Sequence, residues 1–122
     1  MNGYHKFKKL VNRKGFYCEI YLEVTLINLP EVVLEFDQSS KWFSSLNFAV
    51  NYFYEGYVAS HKGGLKVTVT RINSEIVDTT AMVVFYTALK SLYNAFSLED
   101  HLVRIDADGN FVIPKIPIVV GP

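Results

Sequence analysis

Five of the twelve basic side chains, Lys6, Lys8, Lys9, Arg13 and Lys14, fall within residues 1–15, and no acidic residue stands among them. Ammonium and guanidinium groups at this density suit contacts to phosphate, each of which releases counterions and adds salt-dependent affinity. A second polar set, Arg71, Asn73 and Ser74, belongs to the stretch Arg71-Ile72-Asn73-Ser74-Glu75 and offers hydrogen-bond donors to the same class of ligand. The groups that could support covalent or metal chemistry are scattered. His5, His61 and His101 occupy an arm, a loop and a helix-to-strand link, with no cysteine or carboxylate at zinc-ligand spacing. Asp106, Asp108 and Asn110 begin like a calcium loop, but Gly109 comes too early for that loop and no glutamate closes it.

No serine stands in a Gly-x-Ser-x-Gly turn, and the acidic residues form no inward-facing pair. The loop His61-Lys62-Gly63-Gly64 leads into a strand, so its glycines read as a turn and match neither the phosphate-loop nor the dinucleotide signature. Cys18 lies on an apolar strand face and reads as a small core residue. The expectation is a non-enzymatic chain with no catalytic residue, no metal, no cofactor and no evident small-molecule substrate.

Composition agrees with a folded module. Half of the 122 residues are apolar, with eight Tyr and nine Phe, enough to offset chain entropy in one domain. Twelve basic and twelve acidic residues cancel, which removes any global field for steering a polyanion and leaves only local patches. One cysteine makes no internal disulfide, and no apolar leader precedes a small-residue cleavage site, so the expected setting is reducing and cytoplasmic. No apolar run reaches the roughly 18 to 20 residues of a spanning helix, which argues against a membrane partner.

Residues 1–15 read as a solvated basic arm and residues 16–122 as a single α+β domain. From Phe16 to Leu26 apolar residues alternate with Tyr17, Glu19, Tyr21 and Glu23, the pattern of a half-buried strand. Pro30 turns the chain into a second strand from Val32 to Phe36, expected to pair with the first as a hairpin. Its wet face, with Glu19, Glu23 and Glu35, would repel phosphate. Ser39 or Ser40 is the expected cap of a helix carrying Trp42, Phe43, Leu46, Ala49, Val50 and Phe53 inward, stopped by Gly56. Phe48, Tyr52, Tyr54 and Tyr57 remain as an aromatic surplus, suited to a partner interface or a wide core contact. Leu65, Val67 and Val69 mark a third strand ending at Arg71. Asp78, Thr79 or Thr80 then caps a helix apolar on most sides, hence buried on most sides. Asp108-Gly109 joins a final hairpin, and Ile116 to Val120 forms an edge strand or an extended tail fit to dock on a second copy.

The block Lys66-Val67-Thr68-Val69, the turn from Thr70 to Glu75, and Val77-Asp78-Thr79-Thr80 opening a long helix with Met82, Ala88 and Ala95 resembles domain IV of translation elongation factor G. The Trp42 to Gly56 helix precedes that block at a similar separation. The resemblance implies an α+β two-layer sandwich: a mixed, mostly antiparallel sheet of four to six strands with two helices packed on one face. It also implies that the polar turn is the domain's tip, which in that family enters the ribosomal decoding region. A free-standing relative without the GTP-binding domain would act in translation as a ribosome- or RNA-binding module, through Lys6, Lys8, Lys9, Arg13, Lys14, Arg71, Asn73 and Ser74. Glu75 stands where the family carries a histidine, and a carboxylate there opposes an RNA backbone. The alternative is a protein-interaction or homodimerising domain of the same fold without RNA contact.

Overall fold

A computed structural model describes residues 1–121, and Pro122 lies outside it. Strands β1 (Asn2–Val11) and β2 (Lys14–Ile27) pair antiparallel from Asn2 opposite Glu23 to Val11 opposite Lys14. Only Asn12 and Arg13 lie between them, both at positive φ (50° and 68°). A two-residue turn of that kind matches the right-handed twist of its strands. The expected basic arm is therefore a sheet strand. Gly3 and Phe7 alternate into the core while Tyr4, Lys6 and Lys8 take the opposite face, and burial of the Phe7 ring helps offset the cost of ordering a lysine-rich segment.

The expected hairpin between the second and third segments does not form. β2 and β3 (Val32–Glu35) both pair with β4 (Gly64–Ser74), β2 antiparallel and β3 parallel, so the sheet order is β1-β2-β4-β3. The β2–β3 connection passes over the start of β4 instead of folding back. The Leu65 N–H donates to Glu31 O at 3.0 Å, and a Cβ at position 64 would collide with the carbonyl oxygens of Leu29 and Glu31. Glycine is what permits that crossing.

Helices α1 (Phe43–Val58) and α2 (Ala81–Ala95) cover the inner face, α1 against β3 and β4 and α2 against β1 and β2. The molecule is thus a mixed α+β two-layer sandwich. Leu46, Ala49, Val50 and Phe53 meet Ile20, Leu22, Leu65 and Val67 in one core, each large side chain contributing about 1.5–3 kcal/mol by leaving water. α2 is buried over most of its circumference, as its composition requires, and the hydroxyls of its buried Thr87 and Ser91 are satisfied locally, while the buried Tyr93 hydroxyl has no partner among the described residues. Thr87 Oγ1 donates to Val83 O at 2.7 Å and Ser91 Oγ to Thr87 O at 2.8 Å. Thr80 caps the helix, accepting from the Val83 N–H at 3.3 Å.

Two expected boundaries move. Neither Ser39 nor Ser40 caps α1, which begins behind Trp42 without a side-chain cap; Ser40 Oγ accepts from the Trp42 N–H just outside the helix. Gly56 does not stop the helix either. It is where the C-terminal segment crosses, with the Val120 N–H donating to Gly56 O at 3.0 Å, and a Cβ there would collide with Ile118 O. The C-terminal tail lies on α1 of its own chain and buries Val120, with Ile116 and Val119 exposed. The Asp-Gly hairpin forms as β5 (Arg104–Ile105) and β6 (Phe111–Val112). Asp106 organises its turn, accepting the N–H of Asp108 and of Asn110 at 3.0 and 2.9 Å.

Candidate nucleic-acid interface

The alternation that sends Phe16, Cys18, Ile20, Leu22 and Val24 into the core leaves Tyr17, Glu19, Tyr21 and Glu23 on the uncovered face of the sheet. On β1 that face receives Tyr4, Lys6 and Lys8, opposite Tyr21, Glu19 and Tyr17. On β4 it would receive only even-numbered residues if the strand were regular, because Leu65, Val67 and Val69 point inward. The register instead shifts: Leu22 faces Val69 but Tyr21 faces Arg71. Thr70 is the extra residue of a bulge, its hydroxyl donating to Tyr21 O at 3.2 Å. A one-residue insertion exchanges the two faces beyond it. Arg71 and Asn73 therefore stand beside Tyr21 and Glu19, and Ile72 packs against the core.

This arrangement changes the electrostatics of a face that carries three glutamates. Glu19 accepts from the Tyr4 hydroxyl through Oε2 and from Asn73 Nδ2 through Oε1, the latter at 2.6 Å. The Tyr4 hydrogen bond, then that of Asn73, holds its carboxyl below the usual carboxylate range, and the same bond pushes the Tyr4 phenol up. Glu35 pairs with Lys66 at 3.0 Å. Arg71 Nε donates to Asn73 Oδ1 at 3.2 Å while its guanidinium lies 5.8 Å from the Tyr21 ring centre, and the Tyr4 and Tyr21 rings approach to 4.6 Å. Two of the three carboxylates expected to repel phosphate are thus engaged by neighbours, and Lys6, Lys8 and Arg71 stand among the rings of the exposed Tyr4 and the half-buried Tyr17 and Tyr21.

The sequence candidates separate into two groups. Lys6, Lys8, Arg71 and Asn73 share the open face. Arg13 and Lys14 sit at the β1–β2 turn, where with Asn12 and Gly15 they line a hollow against Val77 and Asp78 of the β4–α2 loop. Lys9 lines an adjoining hollow with Glu75 and Asp78, which Lys8 and Tyr17 also border. Ser74 ends β4 opposite Cys18. The residues from Arg71 to Ser74 are therefore strand, and the tip proper is Glu75 to Asp78, with Ile76 98 % and Val77 84 % exposed. Basic turn and tip loop do converge at one end, joined by Tyr17 N–H donating to Asp78 O at 3.1 Å, but carboxylates share that end.

Tyr17 and Tyr21 were not among the sequence candidates because the glutamates that alternate with them were expected to repel phosphate, and Tyr4 was not because residues 1–15 read as an arm. The signal for Arg71 and Asn73 was present: Ile72 follows Val69 by three residues and breaks the alternation. Of the other reactive groups, Cys18 is buried and its thiol is pushed up to about 11, chiefly by desolvation. His5 is half-buried in β1 against Tyr86, not in a solvated arm. Among the described residues no three His, Cys, Asp or Glu side chains gather as metal ligands, and no helix is long and apolar enough to cross a membrane.

An open sheet face of this kind on a two-layer α+β domain defines a fold class without fixing a biochemical role. No protein-family model matches the chain, and no curated protein matches it. The fold is similar to part of a crystal structure from Thermus thermophilus, with a TM-score of 0.58 and 16% sequence identity over 74% of this chain. This chain spans 14% of that protein.

Proposed function

We propose that the chain is a non-catalytic RNA-binding module of the type represented by elongation factor G domain IV, and that it holds single-stranded RNA on the open face of its sheet. The observation that carries this reading is the shared face of Tyr4, Tyr17 and Tyr21 with Lys6, Lys8 and Arg71. Aromatic rings on an open sheet offer stacking platforms to unpaired bases, and cations spaced between them meet the phosphates. The resemblance of the Lys66 to Thr80 block to the elongation factor domain makes ribosomal RNA the first substrate to try.

The test is binding of an unstructured labelled RNA, and co-sedimentation with ribosomes, across a salt series. Three phosphate contacts would give a log–log salt slope of about −2 for a single strand. Tyr21→Ala is expected to weaken binding by about 1–3 kcal/mol, and Lys6→Ser with Lys8→Ser to flatten the slope. Absence of binding at low salt rejects the reading. A second reading, a protein-interaction domain without RNA contact, is favoured by Glu75 and Asp78 beside the exposed Ile76 and Val77; it predicts no salt-dependent RNA binding and no effect of Tyr21→Ala.

A further inference from the structure

The side of the molecule away from the open sheet face carries a groove of about 520 Å³ between α1, the start of α2 and residues 113–115. Its floor is Phe85, with Phe48 and Tyr52 set edge-on at 5.1 and 5.9 Å between ring centres. The far wall is fixed to α1, because Tyr52 Oη donates to Pro114 O at 2.6 Å. Phe48 is 64 % exposed and Met82 42 %.

We propose that this groove is a two-fold interface between two copies of this chain. An isologous contact requires one patch to supply both the projecting group and the hollow that receives it. Here the projecting Phe48 ring lies at the edge of the hollow lined by Phe85, Met82 and Ile113. The rim is also self-complementary in charge. Glu55 and Lys115 line the same groove, and neither makes an ion pair among the described residues. A two-fold axis passing between these two side chains would set Glu55 of one copy against Lys115 of the other, twice. The zero net charge of the chain adds no long-range repulsion between copies. Because the groove and the open sheet face lie on opposite layers, the dimer would present two RNA-binding faces; the interface itself uses none of the residues assigned to RNA.

Light scattering after size exclusion, over a wide concentration range, reads the association directly. The expected result is a concentration-dependent rise from 13.9 kDa to twice that mass. Phe48→Glu should raise the dissociation constant at least about tenfold, as loss of a central aromatic anchor does, while circular dichroism, and thermal unfolding at concentrations where both proteins are monomeric, stay as in the parent because Phe48 is largely exposed. Glu55→Lys and Lys115→Glu should each weaken the dimer, and the double exchange should restore it. A monomer at every concentration overturns the proposal. So does a dimer indifferent to Phe48→Glu and to the charge exchange, since its interface would lie elsewhere. RNA binding in the salt series stands or falls separately from either result.

Discussion

Asn73 Nδ2 donates to Glu19 Oε1 at 2.6 Å across the β2–β4 ladder, and the contact exists only because Thr70 is an extra residue in β4. Without that bulge Asn73 and Arg71 would point into the core, where neither could be satisfied, and Ile72 would face water. One inserted residue therefore decides which chemistry the open face carries. It gives Glu19 a partner and places a guanidinium beside Tyr21.

Glu19→Gln removes the charge and leaves a single acceptor oxygen for the two donors, Tyr4 Oη and Asn73 Nδ2. On the proposed function, RNA affinity rises, because one repulsion with phosphate is gone. The Tyr4 phenol, pushed up chiefly by its bond to Glu19, falls back toward the ordinary phenol range. Ultraviolet-monitored alkaline titration reads the second effect and a binding isotherm the first. An unchanged phenol titration would contradict the assigned hydrogen bond.

His5 titrates below its ordinary 6.5, first by burial and then by the Lys90 charge. Tyr86 packs against its ring. The unfolded chain therefore binds a proton at His5 before the folded chain does, and stability rises with pH across that interval. Its contribution is lost as pH falls from about 6.5 and levels off below the folded value. His5→Gln should flatten the acid limb of a melting-temperature profile between neutral pH and pH about 5. Equal slopes in the two proteins would show that other groups control it.

Gly64→Val forces the β2–β3 connection away from β4, since the Leu29 and Glu31 carbonyls occupy the space of a side chain. Overpacking of this kind costs about 1–3 kcal/mol, read by urea denaturation. A valine tolerated without loss would mean that this crossing moves freely.

The parts of the fold that were legible are those whose pattern is self-contained. β2 alternates from Phe16 to Val24, α2 is apolar on most sides and is buried on most sides, and Asp108-Gly109 closes its hairpin. What was not legible depended on partners. β1 has a period of two, but its lysines outnumber its buried residues, so charge suggested an arm where Gly3 and Phe7 make a strand. The Asn12-Arg13 turn lacks the glycine that usually marks a two-residue hairpin. β3 looked like the partner of β2 because sequence neighbours often pair; the glycine that lets β4 enter between them is a single residue. Gly56 looked like a helix stop and is a crossing point for residues 118–120. Of the eight candidate residues, Lys6, Lys8, Arg71 and Asn73 share a face, and the strand order sets Tyr4, Tyr17 and Tyr21 beside them.

Amide chemical-shift mapping with a short single-stranded RNA locates the RNA on the protein residue by residue. Shifts should concentrate on Tyr4, Lys6, Lys8, Tyr17, Tyr21, Arg71 and Asn73 and leave Phe48, Tyr52 and Phe85 on the helical side unmoved. No shifts at saturating RNA, or shifts confined to the helical side, would contradict the proposed RNA-binding face.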